Sequence, residues 1–220
     1  MSFPLKILAL LKKEFLIEFR QKSSIGGIFL FVVSTIFICY LSFRQLVQIQ
    51  TWNALFWIII LFTAVTSSSK SFLNEQRGKE LYNYQTYSPQ EMIFSKIVYN
   101  TILLSFTGML TLFFYSWFLG GFQGDKKLFA YILLFTSAAL SAILTLMAGI
   151  VNKANGNFTL MAILSFPLTI PVILLSQKLG RNALMGLDFV VSQNFLGALV
   201  LLNIVVFVLA YVLFPYLWKD

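Results

Sequence analysis

The side chains best suited to polar chemistry lie together in one stretch, KSFLNEQRGKELYNYQTYS, at residues 70–88. This stretch carries charges of both signs, at Glu75, Arg77 and Glu80, with a helix-interrupting Gly78 between them. Three tyrosines follow, namely Tyr82, Tyr84 and Tyr87. Charged and aromatic side chains together favour docking of a cytoplasmic protein partner. The alternative is a solvated loop whose tyrosines rest on lipid headgroups.

Catalytic equipment is missing from the sequence. The 220 residues contain no histidine and a single cysteine, Cys39, so histidine-based metal sites and Ser-His-Asp triads are excluded. No phosphate-binding loop, HExxH, CxxC or nucleophile-elbow motif is present. No charged residue lies in the middle of an apolar run, where an ion-coupled transporter keeps its coupling groups. The sequence therefore indicates a non-catalytic protein that binds no cofactor of its own.

The elements that hold the polar stretch are strongly apolar. Hydrophobic residues make up 59% of the chain and charged residues 11%, which is the composition of a membrane protein. Apolar runs long enough to cross the bilayer as helices occur at about 25–43, 52–69, 97–119, 128–151, 158–175 and 195–217. The connections between them are too short to fold alone. We therefore predict an all-α protein whose residues 1–220 form a single transmembrane domain with six spans, and residues 70–88 a cytoplasmic element.

Residues 1–24 are predicted to form an amphipathic helix in the headgroup layer. At 100° per residue, one face of this helix carries Leu5, Leu8, Phe15, Leu16 and Phe19, and the other carries Lys6, Lys13 and Arg20. Lys12 intrudes on the apolar face. With both termini in the cytoplasm, eleven lysines and arginines lie inside and five outside, as the positive-inside rule requires. The net charge of +8 reflects this topology and attraction to anionic lipid; no soluble basic face that would bind nucleic acid is visible.

Two of the spans carry local signals. Ser88, Pro89 and Glu91 form a capping-box pattern, which predicts a helix from residue 89 to residue 119 that ends at Gly120 and Gly121. The fifth span carries Pro167 and Pro171 on one face, which predicts a kinked or broken helix. A packed kink and a hinge both remain open. After this span, GRNALMGLDFV within residues 176–194 is a candidate short interfacial helix.

Hydroxyl and amide side chains within the spans are predicted to hydrogen-bond between helices. They are Thr107, Thr111, Ser137, Ser141, Thr145 and Asn203.

Taken together, the amphipathic helix, the six spans and the insert resemble the permease of a type II ABC exporter. The insert pattern E-x-x-x-G-x-L-E, then P and K, corresponds here to Glu75, Arg77, Gly78, Glu80, Leu81, Pro89 and Lys96. Glu80 precedes the leucine instead of following it, and tyrosines replace the usual leucines. The segment GIVNKANGNFTLMAILSFPLTIPVILL at 149–175 resembles the CcmB family of haem exporter proteins, which serve cytochrome c maturation. This resemblance covers essentially the whole chain.

The resemblance implies a complex in the bacterial inner membrane. A CcmA-like ATPase would bind ATP and dock on the cytoplasmic element, beside a CcmC-like haem-handling membrane protein and a CcmE-like periplasmic haem chaperone. It implies coupling residues at Glu75, Arg77, Gly78, Glu80, Leu81 and Tyr82. Haem is a possible cargo. Because the chain has no histidine, it cannot offer the usual proximal haem ligand, which favours a mechanical role.

The leading hypothesis is a transmembrane subunit that couples ATP hydrolysis to haem export or to release of the haem-loaded chaperone, with Pro167 and Pro171 in the moving span. One alternative is the permease of another ABC exporter, for a lipid or a drug. Another is a membrane assembly scaffold without a transport cycle.

Overall fold

The computed structural model describes residues 3–20, 22–43, 48–73, 87–120, 124–154 and 158–219. Their regular secondary structure is entirely α-helical. In chain order the helices are α1 (Phe3–Arg20), α2 (Lys22–Phe43), α3 (Ile49–Leu73), α4 (Pro89–Leu119), α5 (Lys126–Lys153), α6 (Phe158–Leu184) and α7 (Phe189–Lys219).

Helix α5 lies at the centre of the bundle and packs against α3, α4, α6 and α7. Its side chains are buried along most of its length and include Thr136, Ser137, Ser141 and Thr145, small hydroxyl residues of the kind that let helices approach closely. The other long helices expose large aliphatic and aromatic side chains outward, which is how helices face lipid. Six helices, α2 to α7, are long and apolar enough to cross a membrane. The predicted class, an all-α protein with several membrane spans, is confirmed.

Helix α4 begins and ends where the sequence predicts. The Ser88 hydroxyl accepts a hydrogen bond from the backbone N–H of Glu91 at 3.3 Å, and Glu91 Oε2 accepts one from the N–H of Ser88 at 2.9 Å. Pro89 occupies the first turn. At the other end Gly120 has a φ of 63°, a conformation that glycine adopts without strain. Most side chains of the first two turns, from Glu91 to Lys96 except Phe94, are buried in the protein, and α1 packs against this part of the helix.

Removal of the Ser88 hydroxyl is expected to weaken the start of α4. Ser88→Ala loses the capping interaction, so the free energy of unfolding should fall by about 1 kcal/mol. Ser88→Thr keeps the acceptor oxygen and should stay within a few tenths of a kcal/mol of the parent, by the ranking of capping residues. Thermal unfolding of both variants in one detergent checks this, and equal destabilisation by the two substitutions would contradict it.

The predicted interhelical hydrogen bonds form for some of the polar side chains and not for others. Ser141 donates to the carbonyl of Ile97 at 2.9 Å, and Asn100 donates to Thr145 Oγ1 at 2.8 Å. Asn203 donates to the carbonyl of Phe135 at 3.2 Å. Thr107 and Thr111, in contrast, donate to carbonyls of their own helix, where a hydroxyl can always find an acceptor one turn back.

Helix α6 runs without interruption from Phe158 to Leu184, with both prolines inside it. A broken helix is therefore excluded, and a kink within the continuous helix stays a prediction. Each proline removes only one backbone donor, and both rings lie on the exposed face, away from the neighbouring helices. The expected short helix within 176–194 is wrong. Its first part is the end of α6, which Gly186 closes with a φ of 64°, and α7 begins at Phe189.

At the end of the bundle that holds Gly120, an aromatic cluster joins three helices. It comprises Trp52, Phe56 and Trp57 of α3, Tyr115 of α4 and Phe129 of α5. Trp57 Nε1 donates to Asn53 Oδ1 at 2.9 Å, and Asn53 Nδ2 donates to the carbonyl of Gln177 in α6 at 2.6 Å. Buried rings with satisfied polar atoms make a well-ordered core.

Candidate coupling site at the start of helix α4

Helix α1 lies along the start of α4, directly after the segment that the sequence singles out. Lys6 Nζ is 3.6 Å from Glu91 Oε1, and Lys96 Nζ is 3.5 Å from Glu14 Oε1. One turn further along α4, the rings of Phe15 and Tyr99 meet edge to face at 5.0 Å. We call these three pairs the α1–α4 contact. They fix α1 to the same turns of α4 that follow residue 88.

The residues that α1 presents to α4 follow from helical spacing. Lys6, Leu10 and Glu14 are four residues apart and therefore share one face, and Leu10 and Glu14 are buried. The face with Leu8 and Leu16 points outward, since these side chains are 66% and 56% exposed. The exposed apolar face agrees with an amphipathic helix against lipid. The prediction of an apolar and a polar face is incomplete, because Phe15 of the first and Lys6 of the second both contact α4.

Glu91 connects two features of the site. One of its carboxylate oxygens accepts from the backbone N–H of Ser88, and the other faces the ammonium of Lys6. A carboxylate in the first turn of a helix is also favoured by the helix dipole. The same side chain therefore fixes both the first turn of α4 and the position of α1.

The Glu14–Lys96 pair is buried almost completely. The Lys96 side chain is fully enclosed, and that of Glu14 is 9% exposed. Burial of two charges costs several kcal/mol of desolvation, which their attraction and hydrogen bonding must offset. Removal of one partner from such a pair destabilises far more than replacement of both. The pair therefore fixes the relative position of α1 and α4 more than it adds to net stability.

The sequence proposed two groups of functional residues, namely six coupling residues in the insert and two prolines in the fifth span. The described residues do not include the proposed coupling residues Glu75, Arg77, Gly78, Glu80, Leu81 and Tyr82. Pro167 and Pro171 lie on the exposed face of α6 and take no part in the α1–α4 contact.

Glu14 and Lys96 were missed as interacting residues. Lys96 had a signal in the sequence, since a lysine that adjoins an apolar run is expected to find a partner. Nothing in the sequence identifies Glu14 as that partner.

The chemistry available at this site is electrostatic and mechanical. Among the described residues no group of three or more histidine, cysteine, aspartate and glutamate side chains could hold a metal ion. The contact brings together two carboxylates, two ammonium groups and an aromatic pair, each already engaged with another side chain. Such an arrangement can transmit a displacement between helices.

The fold and this site define a multi-span α-helical membrane protein. A family model described as CcmB protein matches residues 5–213, and the chain therefore belongs to the CcmB family. This family is one of ABC transporter permease subunits for haem export and cytochrome c biogenesis. Comparison with curated proteins and with solved structures gives no match.

Proposed function

We propose that this chain is the membrane subunit of an ABC complex that couples ATP hydrolysis by a CcmA-like partner to haem export, or to release of the haem-loaded chaperone. Family membership supports the class. A CcmC-like haem-handling protein and a CcmE-like chaperone complete the proposed complex. The excess of lysine and arginine on one side supports a bacterial inner-membrane topology with both termini in the cytoplasm.

One observation carries the proposed mechanism, namely the position of the α1–α4 contact. Residue 88 caps α4, and within the next eleven residues of that helix Glu91, Lys96 and Tyr99 each contact α1. A force applied to residues 74–86 by a docked ATPase would therefore reach α4 through its first turn and move α1 with it. In this proposal α1 and α4 respond together.

The proposed coupling residues are tested by changes that leave the spans untouched. Gly78→Pro stiffens the insert and Glu80→Lys reverses a charge that would face the ATPase, so both variants should insert normally. We expect the ATPase that co-purifies with them to lose the dependence of its hydrolysis on this subunit, and haem-stained c-type cytochromes to fall. Lys126→Gln, an exposed change at the opposite end of the bundle, is the control. Normal cytochrome levels in both insert variants would contradict the proposal.

A further inference from the structure

A cavity of about 430 Å³ lies between α1, α2 and α4. Phe15 of α1 lies at one end, Ile28 and Val32 form the α2 wall, and Leu103 and Phe106 belong to the α4 wall. Among the described residues that line it, hydroxyls come only from Tyr99 and Thr107. The hydroxyl of Thr107 donates to the carbonyl of Leu103 at 2.9 Å. An occupant of the cavity would therefore contact almost only hydrocarbon groups.

A cavity of this kind is suited to an alkyl chain. Apolar cavities stay dry, and one of about 150 Å³ already accommodates benzene. The volume here is nearly three times as large. The lining from Tyr99 to Phe114 spans sixteen residues of α4, and the fifteen steps between them cover about 22 Å at the helical rise. The cavity is thus long enough for much of a fatty acyl chain.

A positive charge lies beside one end of the cavity. Lys12 precedes Phe15 by three residues, so both side chains lie on one side of α1, and Lys12 is exposed. Leu8 and Leu16, four residues away on either side, are exposed as well, so this lysine projects from the face of α1 that meets lipid. Its ammonium is placed to bind an anion at the headgroup level.

We propose that the cavity between α1, α2 and α4 binds one acyl chain of an anionic glycerophospholipid, whose phosphate contacts Lys12. Charge complementarity at Lys12 and the apolar lining select this occupant over a neutral lipid. The site adjoins the Phe15–Tyr99 pair of the α1–α4 contact, but its argument rests on the cavity and on Lys12, and not on the proposed function.

The test uses the full chain in nanodiscs of phosphatidylcholine that contain a trace of phospholipid with a diazirine on its acyl chain. After photolysis, labelled peptides are mapped by mass spectrometry. We expect label on Val32, Leu103 and Phe106. The label should be about fivefold stronger with phosphatidylglycerol than with phosphatidylcholine as the probe, since one cation near the surface strengthens binding of an anionic headgroup by about that factor.

Two variants separate the chain site from the headgroup site. Lys12→Glu should abolish the preference for phosphatidylglycerol while leaving the fold intact, because the side chain is exposed. Leu103→Trp fills the cavity and should remove the label from α2 and α4. Leu174→Trp is the control, because the Leu174 side chain on α6 is 60% exposed, and it should leave the label in place.

Three outcomes would overturn the proposal. The first is labelling of the cavity no stronger than labelling of the exposed face of α6. The second is equal labelling by the two probes in the parent protein. The third is protection of the cavity by a second copy of the chain, detected as crosslinks between copies through cysteines placed at Phe106.

Discussion

Glu14→Gln is expected to lower the free energy of unfolding by about 3 kcal/mol, the scale found when a buried ion pair loses one partner. The substitution removes the carboxylate that lies 3.5 Å from a fully buried ammonium. The Lys96 side chain, which is fully buried, would lose this carboxylate partner. Unfolding in a fixed detergent, followed by heat or by denaturant, measures the loss. Lys126→Gln, which alters an exposed side chain, should stay close to the parent.

The double variant Glu14→Leu, Lys96→Met separates stability from coupling. Both charges are gone, so the desolvation cost disappears and stability should return to near the parent value. If the α1–α4 contact transmits the movement, this stable variant should still produce fewer c-type cytochromes than the parent. Recovery of both stability and cytochromes would limit the pair to a structural role, and a double variant as unstable as Glu14→Gln would refute the ion-pair account.

Gly180→Ala is expected to destabilise the aromatic cluster at the other end of the bundle. A Cβ at this position would lie 2.5 Å from Asn53 Oδ1 and 2.9 Å from Trp57 Nε1, so the hydrogen-bonded Asn53 and Trp57 side chains must shift. Overpacking of this kind costs typically about 1–3 kcal/mol, more than the gain of up to about 1 kcal/mol from alanine in a helix. For a chain of this length, a net loss of about 1–2 kcal/mol lowers the Tm by about 2–8 °C.

A matched control lies in α7. Gly197 is also a helical glycine, but nothing lies within 4 Å of a Cβ placed there. Gly197→Ala should therefore leave the Tm unchanged or raise it slightly through the helix propensity of alanine. Tryptophan fluorescence measures the thermal unfolding, and Trp52 and Trp57 contribute two of the four tryptophan signals of the chain. Equal Tm values for the two glycine variants would contradict the packing argument.

Local features of the fold were predictable because their signals are local. Six spans follow from runs of apolar residues, and α4 begins at Pro89 because Ser88 and Glu91 stand three residues apart with a proline between them. Gly120 ends the helix for an equally local reason, its positive φ. The error at 176–194 also has a local cause, since the apolar pattern of α6 continues to Leu184 and Gly186, not an earlier residue, ends it.

Contacts between distant residues were not predictable in this way. Glu14 and Lys96 are 82 positions apart, and helical periodicity of α1 alone assigns its lysines to a polar face without identifying α4 as their partner. The same limit applies to the cavity, whose walls come from three helices. The coupling role of Glu75, Arg77, Gly78, Glu80, Leu81 and Tyr82 stays a prediction, since these residues lie outside the described part of the chain.

We propose above all that this CcmB-family chain works with an ATPase. Affinity purification of the tagged chain from native membranes, with mass spectrometry of its partners and an assay of ATP hydrolysis, tests it most directly. We predict recovery of an ABC ATPase whose hydrolysis changes when Gly78→Pro replaces the parent chain. Recovery of the intact chain without an ATPase, or with one whose hydrolysis does not respond to the substitution, would contradict it.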